Sequence, residues 1–195
     1  MTIEASSSVT GSFAPLELCG NYFRGFALFP HLRTIAAPSG HSHTVRTPFA
    51  EKLYQTLFNG STSFMEEIAD TYVEGIESLF AALRFDYLLF VPPPTTRRDY
   101  SGAIRLTGSI SMKTGIHSLQ HAVRQVPEHP RTERGIFAFA SETVSEICRG
   151  KNLLVLADFY RSGRSLHALT AFLAQKGGAG SISVLAGTVV QRELS

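Results

Sequence analysis

The sequence predicts an α/β fold with a central, mostly parallel sheet flanked by helices. Two observations carry that prediction. Asn152 to Ala157 is almost wholly apolar, which is how a parallel strand covered on both faces reads. After it the chain runs loop, helix, strand. Ser165 to Gln175 places Leu166, Leu169, Thr170 and Leu173 on one helical face, Gly177-Gly178 stops the helix, and Ser181 to Ala186 is strand-like again. A strand–helix–strand unit of this kind is a right-handed crossover in a parallel sheet.

The preceding elements follow from local signals. Met1 to Gly11 reads as a frayed tail, and Met1 to Phe13 lacks the basic start and apolar stretch of a secretory signal. Asn21 to Leu32 is aromatic and apolar, broken by Gly25 and Pro30, and reads as a strand or short hairpin. Pro38 to Thr44 reads as a loop. Thr47-Pro48 opens a helix to Phe58, with Thr47 as N-cap and the proline at the first helical position, and Asn59-Gly60 ends it. Ser63 with Glu66 three residues on spells a capping box, ahead of Phe64, Ile68, Tyr72, Ile76, Leu79 and Leu83 at helical spacing. Asp86 to Val91 is a strand that Pro92-Pro93-Pro94, lacking amide donors, must end. Ala103 to Leu119 reads equally as strand or helix. Gln125 to Gly135, with Pro127 and Pro130, reads as a mobile loop, and Ser141 as the cap of a helix to Cys148.

Composition narrows the function classes. The 195 residues fit one domain with at most a small appendage. Hydrophobic residues make up 44% and charged residues 17%, the balance of a chain that folds around a core. The formal net charge of +2 excludes coating nucleic acid by bulk charge, leaving room only for a local basic site. Cys19 and Cys148 form neither a disulfide framework nor a four-cysteine zinc site, and so low a count suits a cytoplasmic location. The apolar run Tyr87 to Pro94 is too short to span a bilayer.

Open parallel sheets bind ligands beyond the carboxyl ends of their strands. The segment Asn152 to Ser165 puts a set of ligand-binding residue types there. Asp158 stands at the expected strand end, Gly163 lets the backbone turn closely round a ligand, and Ser162 and Ser165 supply hydroxyls. The first amides of the helix that follows carry the positive end of its dipole, and Arg161 and Arg164 add cationic donors, so the loop reads as a phosphate cradle. A plain turn capped by Ser165 is the alternative. Arg97 and Arg98, after the proline run at another strand end, read as a pyrophosphate clamp or as a solvated loop.

The Asn152–Ser165 segment resembles the phosphoribosyl pyrophosphate (PRPP) motif of type I phosphoribosyltransferases: an apolar strand, two adjacent acids, then a hydroxyl-glycine loop entering a helix. Asp86 to Arg98 resembles the strand and basic turn that approach pyrophosphate in that family. Leu53 to Gly60, the helix after it, and Ser183 to Thr188 are similar to the competence-protein-F-like subgroup, with the likeness running from Pro48 to Val190. The resemblance implies a small N-terminal hood within residues 1–46, ahead of an α/β core over 47–195. It implies transfer at the anomeric carbon of PRPP, with Mg2+ sharing the charge of the pyrophosphate. Asp158 would hold the ribose, Arg161, Ser162, Gly163, Arg164 and Ser165 the 5′-phosphate, and Arg97 and Arg98 the pyrophosphate.

The departures from the motif are specific. Ala157 replaces the first acid, Arg161 and Arg164 stand at loop positions that are not arginine in the family, and Ser165 replaces a threonine. A cradle this basic suits a more highly charged phosphate, a nucleotide or a nucleic-acid end. Two readings follow: a phosphoribosyltransferase or a glycosyl-cleaving variant of one, and a catalytically altered binding module. The module would act with a nucleic-acid-handling partner, in DNA uptake or antiviral defence. A purely structural subunit is a third reading, and a homo-oligomer is compatible with all three.

Other constellations are weaker. His41 with His43, and His117 with His121 if helical, have metal-compatible spacing but lack a convincing third ligand. Lys113, Arg131 and Arg134 read as surface charges, or as residues of a loop closing over phosphate. The aromatics of Tyr22 to Phe29 read as core or as stacking platforms for bases. Neither a G-x-S-x-G elbow nor a GxxxxGK[ST] loop is present.

Overall fold

A computed structural model of the chain describes residues 15–36, 42–93, 100–127 and 135–190. Six strands form the main sheet: β1 (Leu16–Gly20), β2 (Phe23–Pro30), β5 (Tyr87–Phe90), β6 (His117–Ser118), β9 (Asn152–Tyr160) and β10 (Ser181–Val189). Their spatial order is β1-β2-β10-β9-β5-β6. Only β1 runs antiparallel to its neighbour, so the sheet is mostly parallel, as the sequence predicts. Two small antiparallel pairs lie outside it: β3 (Leu32–Ala36) with β4 (Ser42–Arg46), and β7 (Val123–Pro127) with β8 (Gly135–Phe139).

The apolar run in β9 works on both faces because side chains alternate along a strand. Leu153, Val155 and Ala157 join the cluster under α5 (Arg164–Gln175), together with Leu166, Leu169 and Leu173. Leu154 and Leu156 join the opposite cluster, under α1 (Pro48–Phe58), α2 (Met65–Leu79) and α3 (Ser101–Thr114). Helices thus cover both faces, the arrangement that lets a parallel sheet stay buried. A short helix, α4 (Glu142–Cys148), and the β7–β8 pair extend the α5 layer, with the Phe139 ring tilted against Phe172 of α5 at 4.5 Å between ring centres. Among the described residues no helix is long and apolar enough to cross a membrane.

Several local expectations are met. Thr47 caps α1 by accepting a hydrogen bond from the amide of Ala50 at 3.3 Å, and its hydroxyl donates to the Pro30 carbonyl at 2.8 Å. Asn59 ends that helix. Leu166, Leu169, Thr170 and Leu173 form the buried face of α5.

Other elements differ from the sequence reading, each for a physical reason. The capping box is not formed: α2 starts after Phe64 with no side-chain cap, and Glu66 pairs with Lys113 of α3 instead. The helix stops at Leu79, leaving Leu83 half exposed. Ala103 to Leu119 resolves into α3, ended by Gly115 at φ 72°, and the two-residue strand β6. Ser42 to Thr44 belongs to β4, and Gln125 to Pro127 to β7, where turn-rich composition masked hairpin strands. The run Asn21 to Leu32 holds β2, whose hairpin partner β1 lies upstream of the run. Its Phe23 and Leu28 are buried in the two core clusters.

β9 and β10 also run three residues further than expected, to Tyr160 and Val189. Each extends the other's ladder, with Thr188 opposite Phe159 and Val189 opposite Tyr160. Asp158 therefore sits inside a strand and not at its end.

Candidate functional site

The parallel strands end on one side of the sheet, and a cavity of about 340 Å3 opens there, between the ends of β5 and β9 and the start of α5. Asp158, Arg161, Ser162, Gly163, Arg164 and Ser165 all line it. Six sequence-predicted residues are thus brought to one cavity. Arg97 and Arg98 lie outside the described residues, as do His41, Arg131 and Arg134. The described residues nearest to the two arginines in sequence, Pro93 and Tyr100, line the cavity.

The loop is built by its glycine. Gly163 has φ 68°, the left-handed region that only glycine enters cheaply, and it is the N-cap position of α5. A Cβ there would also lie 2.7 Å from the Tyr160 hydroxyl and 2.9 Å from the His167 ring. The first amides of a helix have no intrahelical acceptor. At α5 no side chain caps them, in contrast to α1. Ser165 is consequently not an N-cap: it is the second residue of the helix, exposed, and one of the residues lining the cavity. Arg161 and Arg164 are exposed and make no ion pair among the described residues. Helix amides without a side-chain cap, two serines and two arginines on one loop favour an anion.

Asp158 is the one carboxylate among the described residues lining the cavity, and its Oδ1 accepts from the Phe159 amide at 2.8 Å. Ala157, where the resemblance would place a first acid, is 2% exposed within the α5 core cluster. A carboxylate in that place would meet a heavy desolvation cost. Under the strand, the buried Tyr72 hydroxyl donates to the Ala157 carbonyl at 2.7 Å. Gly187 of β10 leaves room for that hydroxyl, since a Cβ there would overlap it.

Four residues of this region carry no signal in the local sequence. Phe159 lines the cavity, is 41% exposed, and stacks on His31 with 5.1 Å between ring centres. His31 Nδ1 lies 2.9 Å from the Thr188 hydroxyl. Burial, then the charge of Arg46, push His31 below the ordinary histidine value, so the neutral ring is favoured. On the opposite wall, Tyr100 donates its hydroxyl to the Val91 carbonyl at 2.7 Å and accepts from Gln120 Nε2 at 2.7 Å. Burial raises the Tyr100 phenol far above its usual range and the Asp158 charge adds to this, against the lowering effect of the Gln120 bond. Tyr100 is therefore a neutral hydrogen-bonding group and not a base. Gln120 and His31 are visible only once strands far apart in sequence are paired.

The remaining sequence candidates lie elsewhere. His117 is in β6 and His121 in the turn after it, so they do not share a helix face, and no group of three metal-ligating side chains occurs among the described residues. Lys113 bridges Glu66 at 3.0 Å and Asp70 at 2.9 Å across the α2–α3 contact. A magnesium ion bound chiefly through substrate phosphates needs only one or two protein carboxylates. Asp158 offers one, which fits an ion carried in by the ligand and not a resident metal centre.

No family model matches the sequence, and no curated protein matches it either. Solved structures do match in shape. An adenine phosphoribosyltransferase is 14% identical with a TM-score of 0.47, covering 82% of this chain and 94% of its own. The adenine phosphoribosyltransferase of Saccharomyces cerevisiae, complexed with adenine and an imino-altritol bisphosphate, is 13% identical with a TM-score of 0.46, covering 82% and 92%. A Neisseria gonorrhoeae protein with bound ppGpp is 11% identical with a TM-score of 0.43, covering 69% and 76%.

Proposed function

We propose that this chain is a phosphoribosyltransferase-like protein of the competence-protein-F-like kind, with an altered PRPP motif, that binds PRPP or a related phosphorylated ribose or nucleotide. One observation carries the reading: Asp158 and Arg161 to Ser165, all within eight residues of sequence, line a single cavity at the carboxyl ends of parallel strands. The loop amides, Ser162, Ser165 and the two arginines hold the phosphate. Asp158 accepts a hydrogen bond from a ribose hydroxyl. Arg97 and Arg98 neutralise the pyrophosphate, and Mg2+ enters with it. Cleavage at the anomeric carbon develops positive charge on the sugar and negative charge on the leaving group, so catalysis here rests on positioning and electrostatics. No residue of the cavity serves as general base in this proposal. Phe159, exposed on the cavity lining and stacked on the half-buried His31, suits a ligand that carries a ring beside its phosphates. A cytoplasmic location belongs to the same proposal.

A second reading is favoured by Ala157. The first-acid position has become core, which suits a module that has given up transfer and binds a nucleotide or nucleic-acid end with a partner. Two variants separate the readings. In an enzyme, Asp158→Ala abolishes pyrophosphate release from PRPP yet leaves phosphate affinity within a few-fold. In a nucleic-acid binder, Asp158→Ala is silent. There Arg164→Ala weakens oligonucleotide binding about tenfold and lowers its salt dependence. If both variants behave as the parent in every assay, the site assignment is wrong.

A further inference from the structure

The sheet has a defect beside the cavity. β6 pairs with β5 at only two positions, Tyr87 with His117 and Leu88 with Ser118, and the Leu119 amide then donates to the Leu88 carbonyl at 2.8 Å. Beyond that point no backbone group of β6 pairs with Phe90, which is 3% exposed, among the described residues. The Gln120 side chain takes over. Its Oε1 accepts from the Phe90 amide at 2.7 Å, and its Nε2 lies 3.5 Å from the Phe90 carbonyl. A primary amide carries the same donor and acceptor as a peptide, so Gln120 supplies a further rung of the ladder from a side chain that is 6% exposed.

That same amide reaches the cavity. Nε2 donates to the Tyr100 hydroxyl, whose own proton goes to Val91, and Phe90, Val91 and Tyr100 all line the wall. Thr107 of α3, buried, stands 3.1 Å from Gln120 Oε1 and completes the network. Each buried polar group in it has a partner, which is the condition under which such a network rigidifies what it holds.

We infer that Gln120 is a positioning residue for this cavity: it stands in for the strand that β6 lacks and, through Tyr100, holds the Phe90–Val91 wall opposite the Arg161–Ser165 loop. Gln120 itself touches no ligand. The identity of that ligand rests on the function proposed above, but the positioning does not.

The test compares the parent with Gln120→Met, close in size but without the amide, and with Tyr100→Phe, which spares the bond from the Phe90 amide to Gln120 Oε1 and removes the hydroxyl that joins Gln120 Nε2 to the Phe90 and Val91 carbonyls. Calorimetric titrations use PRPP, which is long enough to meet both walls, and inorganic phosphate, which the loop alone can hold. Backbone-amide NMR spectra of the unliganded proteins are the second readout. Both variants should bind PRPP about tenfold more weakly while phosphate affinity stays within about twofold. In Tyr100→Phe the amides of Asp158 to Ser165 should also shift. Equal weakening toward both ligands, or amide shifts confined to the neighbours of the mutated residue, would reduce Gln120 to a stability role and overturn the inference. If the parent does not bind PRPP, the functional reading falls, and the amide shifts of Tyr100→Phe alone decide the positioning. If Gln120→Met does not fold, the Tyr100→Phe arm decides by the same criteria.

Discussion

The loop from Arg161 to Ser165 and the wall formed by Phe90, Val91 and Tyr100 face one cavity but are held in different ways. The loop is made locally. It leaves β9, turns at Gly163 with φ 68° and enters α5, and every residue that shapes it lies within a few positions. The wall is made at long range. Its hydrogen bonds come from Gln120, thirty residues along the chain from Phe90, and from Tyr100 across the proline run. The loop carries the charge and the hydroxyls, whereas the wall is apolar apart from the Tyr100 hydroxyl. The difference teaches that one side of this site supplies chemistry and the other supplies distance, and the two should fail separately.

The largest expected effect on stability falls on the wall. Gln120→Met leaves the buried Phe90 amide without a partner, a cost of about 1–3 kcal/mol. For a chain of this size each kcal/mol lowers Tm by about 2–4 °C. Gly163→Ala comes next. Placing a Cβ at a left-handed position costs about 1–2 kcal/mol, before any overlap with Tyr160 and His167 is relieved. The comparison is sharpened by what each variant does to binding. Gly163→Ala should lose inorganic phosphate binding, and Gln120→Met should keep it. Thermal melts paired with phosphate titrations read both, and a Gly163→Ala protein with parental phosphate affinity would break the distinction between the walls.

A smaller effect sits at the aromatic margin. His31 has its folded pKa depressed below 6.5 by burial and by Arg46. The stability this group contributes is present above the unfolded value and is lost as pH falls through the folded one. Tm should therefore decline on acidification below about pH 6.5, and less steeply in His31→Gln. A Tm that rises over that interval, or identical slopes in parent and variant, would contradict the burial of a neutral ring.

The same contrast explains what the sequence could show. Asp158 and Arg161 to Ser165 were legible because an apolar run, a glycine and a helix face fix their place without reference to the rest of the chain. The helix starting at Thr47-Pro48 was legible for the same reason. The strand extension through Asp158 to Tyr160 was not, because it depends on β10 lying alongside with Thr188 opposite Phe159. The capping box at Ser63 failed because Glu66 has a better partner in Lys113 of another helix. Gln120 and His31 gave no local signal at all, since a glutamine that mimics a strand looks like any polar residue until the missing strand is seen.

The central claim is that the Asp158–Ser165 segment forms a site for a phosphorylated ribose. A thermal-melt titration with PRPP, with and without magnesium, tests it most directly, with ribose 5-phosphate, pyrophosphate and a short oligonucleotide alongside. A ligand bound only by the folded chain raises its stability by RT ln(1 + [L]/Kd), about 2.7 kcal/mol at a hundredfold excess over Kd. The account predicts a magnesium-dependent rise in Tm with PRPP that Arg164→Ala diminishes. Stabilisation by the oligonucleotide alone, or by none of these ligands, would contradict it.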